Sequence, residues 1–182
     1  GACVMDTLVS VPYYPNEDSK LRAVSSKQAG GGPVATGLVA AAKLGCDTEY
    51  IGILSNDAGG HFLKDDFKKY GVRTDNITIK SGYRSFTSVI WLSDKTSSRT
   101  CVFDKGNLPP LELTPNQINA VKNAELLMVD GNELNAAINA AKIAHENGAK
   151  VLYDAGGLYD GVRGLLPLAD IYIRKKLRCL LL

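Results

Sequence analysis

The densest chemical signal in this 182-residue chain is the run Ala29-Gly30-Gly31-Gly32-Pro33-Val34-Ala35-Thr36-Gly37. Glycines let a backbone approach a ligand closely, and the free N–H groups where a helix begins bind oxygen atoms. Taken alone, such a run is more often a plain loop ahead of a helix. Two specific phosphate loops fit it badly. A Walker A loop needs Lys and then Ser or Thr after its last glycine, and here Leu38 follows Gly37. A dinucleotide fingerprint matches the spacing of Gly30, Gly32 and Ala35, but polar residues from Ser25 to Gln28 stand where an apolar strand should lead in.

Other candidate groups are acidic and follow strand-like runs. Asp6 ends the first such run, and Asp130 and Asp154 stand just after two later ones. In open α/β sheets ligands bind beyond the carboxyl ends of the strands, so these are the positions to search. Asp130-Gly131 and Asp154-Ala155 are also turn formers, which leaves both readings open. Asn56 and Asp57 suit a helix cap better than catalysis. His61 and His145 have no second His or Cys at ligand spacing, so packing or surface roles are expected rather than metal binding.

The elements that must position these residues can be read from periodicity. Three amphipathic helical patterns end in glycine, at Gly45, Gly71 and Gly148, and each gives way to a strand-like run. The helices are expected over 33–44, 60–70 and 133–147, with Leu134, Ala137, Ala141 and Ala144 as the buried stripe of the last. A further helix over 114–123 would start at the Thr114 cap and Pro115. Strands are expected over 2–9, 48–54, 77–79, 126–129, 151–153 and 171–173, and a short helix over 161–166. In the middle, 87–92 and 99–103 read as a β-hairpin around polar Ser93 to Ser98. Strands alternating with helices imply a mainly parallel sheet covered on both faces.

Composition narrows the function classes. With 21 basic and 19 acidic residues the net charge is +2, so no electrostatic footprint for nucleic acid is present. The cluster Arg174, Lys175, Lys176 and Arg178 reads as a solvated tail. No apolar run approaches the roughly 20 residues of a membrane helix. Cys3, Cys46, Cys101 and Cys179 form no C-x-x-C pair, which argues against a zinc site or disulfide framework and for a cytoplasmic setting.

Taken in order, the motifs are specific: a strand ending in Asp6, the glycine run, Lys43-Leu44-Gly45, Tyr50-Ile51-Gly52, Asn56-Asp57-Ala58-Gly59-Gly60 and Tyr70-Gly71-Val72. Leu127-Met128-Val129-Asp130-Gly131, Tyr153-Asp154-Ala155-Gly156 and Leu166-Pro167-Leu168-Ala169-Asp170-Ile171 continue the series. The set resembles the N-terminal portion of the ribokinase-like (PfkB-type) carbohydrate kinases. The resemblance implies a mainly parallel α/β sheet plus a small β-lid, with lid strands drawn from about 8–28 and 83–104. It implies that Asp6 accepts hydrogen bonds from sugar hydroxyls, that the Gly31 and Gly32 backbone closes over the sugar, and that Asp130 and Gly131 lie near the substrate. Thr36 stands where many relatives carry a substrate-binding Asn, and Thr cannot offer both an amide donor and a carbonyl acceptor.

The sequence departs from the family on the nucleotide side. A Gly-Ala-Gly-Asp segment is absent from the 182 residues, and Lys175 and Arg178 occupy the family's Asn-x-x-Glu positions. A basic pair cannot coordinate magnesium as a carboxylate does. The expectation is therefore one incomplete domain over 1–182, with the C-terminal part missing and its true start upstream of Gly1. ATP and Mg2+ are expected for the full-length parent and are not expected to be held fully here. The substrate expected is a sugar or related alcohol, with no nucleic acid or membrane partner and with a homodimer through the β-lid left open. A non-catalytic sugar-binding or dimerising module is the alternative.

Overall fold

A computed structural model describes residues 1–157 and 160–173, so the basic cluster at 174–178 and Cys179 fall outside the described residues. Two parallel sheets form the α/β body. β3 (Gly52–Ser55) pairs with β4 (Ile77–Lys80), and β7 (Leu126–Val129), β8 (Lys150–Asp154) and β9 (Ile171–Ile173) pair in that order. Parallel neighbours need a crossover. α2 (Ala58–Lys69) supplies it between β3 and β4, and α4 (Leu134–Glu146) between β7 and β8.

The remaining strands build the lid. β1 (Val4–Val11), β2 (Ser25–Gly31), β5 (Thr87–Ser93) and β6 (Ser98–Asp104) lie in the order β2-β1-β5-β6, with β1 and β5 parallel and both edges antiparallel. The 87–103 hairpin thus forms as expected. The first strand runs two residues further than its apolar stretch, because residues 5–10 pair on both sides and Val11 still pairs with Ser93 of β5.

Several sequence expectations need correction. The residues from Ser25 to Gln28, too polar for a buried strand, are the exposed start of β2, and Gly30 and Gly31 belong to the same strand rather than to a loop. An edge strand facing water tolerates polar side chains that a central strand would not. The strand expected over 48–54 is confined to 52–55, with only an isolated Glu49–Arg73 bridge before it. The helix expected over 161–166 is two 3-10 turns, Val162–Gly164 and Leu166–Leu168, since Gly161, Gly164 and Pro167 deny it a continuous α-helical ladder.

Helix ends follow local chemistry. α1 (Pro33–Lys43) and α3 (Pro115–Lys122) each begin on proline, and Thr114 with Gln117 forms a reciprocal capping box. Gly45, Gly71 and Gly148 all take the left-handed conformation after α1, α2 and α4. In each case the following residue donates back to a carbonyl five positions earlier, as in Cys46 N to Ala41 O at 3.0 Å, which is the Schellman pattern.

Two cores result. Ala137, Ala140, Ala141 and Ala144 of α4 pack with Val121, Val129, Val151 and Tyr153, and alanine lets this helix lie close on its sheet. Ala140 belongs to that stripe, whereas Leu134 is only partly buried. On the other side Val34, Ala35, Leu54, Leu63 and Phe67 enclose Tyr50, whose ring stacks on Phe67 at 4.7 Å.

Asp170 ties the last described turn to the body. Its Oδ2 accepts from Val151 N at 2.8 Å and meets His145 Nε2 at 3.0 Å, while Lys150 Nζ lies 3.4 Å from Oδ1. The Val151 N–H first and His145 next, with Lys150 adding to them, outweigh the opposing effect of burial and hold its carboxyl down at about 2. A depressed carboxyl contributes stability above its unfolded value of 3.8, and that contribution fades as pH falls toward 2. Asp170→Asn is therefore expected to lower urea stability at neutral pH, with the gap from wild type closing as pH drops through 3.8 toward 2.

Candidate functional site

Asp6 sits on β1 between Ala29 of β2 and Ser88 of β5. Period-2 alternation puts Asp6 and Ser88 on the same face of the lid sheet, and the Ser88 hydroxyl donates to Asp6 Oδ1 at 2.6 Å. Ser88 itself is buried. On the opposite flank the Asp6 carboxylate presses against the Cα of Gly31, where any Cβ would collide with Oδ2. One oxygen is thus oriented by a buried hydroxyl while the carboxylate keeps further acceptor capacity for incoming donors.

Gly32 follows the lid strand β2 and caps α1 with φ 99 and ψ 144, a conformation that is nearly glycine-only. A side chain there would also strike the Ala2 carbonyl. The Ala2 peptide connects this side of the site to the far sheet, because its N–H donates to Asp130 Oδ2 at 2.8 Å. Asp130 Oδ1 accepts from Asn132 N at 2.8 Å, closing a turn around Gly131. At 2 % exposure Asp130 has both oxygens committed to backbone, and neighbouring Gly131 is buried. Asp154 makes the simpler turn, with Oδ1 accepting from Gly156 N at 2.9 Å.

The structure therefore brings Asp6, Gly31 and Gly32 together and joins Asp130 to them through one peptide. Thr36 is placed differently. It is exposed on α1, one turn after Gly32, whose carbonyl accepts its N–H at 2.9 Å. Its side chain lines a groove of about 450 Å³ with Gly30, Phe62 and Asp66, and Asp6 is not among the groove's lining residues. Ser88 was missed from the sequence. The available signal was a small polar residue inside the apolar run 87–92, but its partner depends on the parallel pairing of β1 with β5, which no local pattern encodes. Two further residues of the glycine run explain themselves by packing. A Cβ at Gly30 would fall 2.6 Å from Asp66 Oδ2, and one at Gly37 would fall 2.6 Å from Met128 Sδ.

Cys3 lies beneath this site, and burial pushes its thiol up to about 12 despite the favourable charge of the N-terminus. A thiol so buried is a packing group and not a nucleophile. Among the described residues no three His, Cys, Asp or Glu side chains are grouped to hold a metal ion.

The sequence pattern of the pfkB family carbohydrate kinases matches residues 1–174. The chain belongs to that family. It is similar to the ribokinase of Haemophilus influenzae, at 28% identity over 174 residues, covering 94% of this chain and 56% of that protein. Ketohexokinase of Mus musculus matches at 23% identity over 150 residues, covering 82% of this chain and 50% of the relative. Among solved structures, Arabidopsis thaliana ribokinase complexed with ribose and ATP superposes with a TM-score of 0.78 at 22% identity, covering 96% of this chain and 58% of that one. The chain spans about half the length of the curated relatives it matches. The α/β body with its β-lid is the ribokinase-like fold. Among the described residues no helix is long and apolar enough to cross a membrane.

Proposed function

We propose that this chain is the sugar-binding portion of an ATP-dependent, cytoplasmic carbohydrate kinase, with the sugar held against the lid by Asp6 and the Gly31–Gly32 backbone. The observation that carries the reading is the Asp6 carboxylate, oriented by Ser88 at 2.6 Å and flanked by a residue with no side chain. A carboxylate fixed in this way accepts from neighbouring hydroxyls of one ring, and the glycines let the ring approach main chain. Asp130 holds the Ala2 backbone that lies against Gly32 and forms one wall. Relatives at comparable identity include a ribokinase and a ketohexokinase, so a pentose and a ketose are both within the reading.

For these 182 residues taken alone, the reading is sugar binding without ATP turnover, because they include no Gly-Ala-Gly-Asp segment to orient the attacking hydroxyl. In the parent, ATP with Mg2+ would supply the phosphoryl group. Calorimetric titration with pentoses and hexoses, with and without ATP, tests this. Binding of one sugar with an affinity indifferent to ATP is expected, and sugar-dependent release of ADP by this chain would overturn the division.

Self-association through the lid belongs to the same reading. Val89 and Trp91 of β5 and Val102 of β6 form an exposed apolar strip on one face, with Val102 at 68% exposure. Such strips mark association surfaces. Sedimentation equilibrium is expected to show a concentration-dependent dimer that Val102→Glu shifts toward monomer.

A further inference from the structure

We propose that Asp57 is a positioning residue, a latch that sets the hinge of the lid and thereby the orientation of Ser88 and Asp6. Asp57 is the N-cap of α2, accepting from Gly60 N through Oδ1 at 2.8 Å. Capping accounts for one of its bonds only. The same carboxylate accepts from Ser85 N through Oδ2 at 2.8 Å and from the Ser85 hydroxyl through Oδ1 at 2.6 Å. Ser85 lies in the segment leading into β5, three residues before Ser88. The inference rests on the reading of Asp6 as the sugar ligand.

The surroundings are shaped for this contact. Ser85 is buried, and a Cβ at Gly59 would fall 2.9 Å from its Cβ, so the first turn of α2 is open where Ser85 docks. A Cβ at Gly60 would strike the Ser55 carbonyl, which keeps that turn tight on the end of β3. Ser55 in turn donates its hydroxyl to the Tyr83 carbonyl at 2.5 Å. The segments entering and leaving the lid hairpin are tied to each other close by. Arg84 N donates to Asn107 Oδ1 at 2.7 Å, and Arg84 pairs with Asp104 at 3.4 Å. From Ser85 the path to the site is short. Phe86 O accepts from Met5 N at 3.0 Å, and Ser88 then donates to Asp6. Asp57 therefore fixes where β5 leaves the body, and β5 carries the hydroxyl that aims the sugar carboxylate. Burial pushes the Asp57 carboxyl up, but the bonds from Ser85 and Gly60 outweigh it and hold its pKa below the usual value, keeping it an ionised acceptor.

The test separates latch from cap. Ser is about as good an N-cap as Asp, so Asp57→Ser keeps α2 started while removing Oδ2, the oxygen that accepts from Ser85 N. Ser85→Ala leaves the cap untouched and removes one latch bond. Two readouts are taken on the intact chain: sugar affinity by calorimetry, and amide hydrogen exchange of β5 compared with β7, β8 and α4. Both variants are expected to bind sugar more weakly, Asp57→Ser by about tenfold, and to exchange faster in β5 alone. Wild-type exchange in β5 of Asp57→Ser would overturn the latch, and so would acceleration spread evenly over all elements. If the wild-type chain binds no sugar, the reading of Asp6 fails, yet the exchange readout still decides the latch.

Discussion

Asp6→Ala is expected to weaken sugar binding by about 100-fold while leaving the chain folded. A hydrogen bond to a charged group contributes about 1.5–3 kcal/mol, and each ~1.4 kcal/mol is a factor of ten, so even one lost hydroxyl contact falls in the range of roughly 10- to 150-fold. Asp6→Asn sharpens the expectation. Its amide oxygen still accepts from Ser88, so the buried hydroxyl keeps its partner, but the charge that strengthens the sugar contacts is gone. A loss of about tenfold is expected for Asn with a urea midpoint close to wild type, whereas Ala leaves the buried Ser88 hydroxyl without its acceptor and lowers stability by about 1–3 kcal/mol while the chain stays folded. Equal loss in Ala and Asn would mean that charge dominates, and wild-type affinity in either would remove Asp6 from the site.

Gly32→Ala is expected to act on the fold itself. Alanine would have to adopt φ 99 and place its Cβ against the Ala2 carbonyl, which cannot move without disturbing the Ala2 bond to Asp130. Residues forced into such a region cost of order 1–3 kcal/mol, and the backbone collision adds to that, so a destabilisation of about 3 kcal/mol is expected. Urea unfolding with an unchanged m-value would report it cleanly. Gly31→Ala makes the contrast. The three atoms nearest its new Cβ all belong to the Asp6 side chain, which can rotate away, so the fold loses about 1 kcal/mol while sugar affinity falls as far as in Asp6→Ala. Large stability loss at Gly32 with large affinity loss at Gly31 is the pattern that distinguishes their roles.

Much of this architecture was legible because local chemistry determines it. The glycines at 45, 71 and 148 marked helix ends since each takes the left-handed conformation that closes a Schellman turn. The strands at 126–129 and 171–173 formed where short apolar runs stood between helix signals. What escaped was non-local. β2 could not be read from its own residues, because polar Ser25 to Gln28 become a strand only by pairing with β1 at the sheet edge. Asp130 read equally as ligand or turn former, and its bond to Ala2, 128 residues away, is carried by no local pattern. Asp57 was legible as a cap but not as the acceptor for Ser85, 28 residues later, and Ser88 was invisible until β1 and β5 were seen to pair in parallel. Asp6, Gly31 and Gly32 were named through the order of motifs, and the structure packs them together: the carboxylate occupies the space that a Gly31 side chain would fill.

The central claim is that Asp6 and the adjoining glycines form a sugar site, and isothermal calorimetry of D-ribose and D-fructose against wild type and Asp6→Ala tests it most directly. Saturable heat from one of these sugars with wild type, reduced about 100-fold in affinity in a folded Asp6→Ala, is the predicted result. Equal binding by both proteins, or no heat from either sugar with a folded wild type, would contradict it.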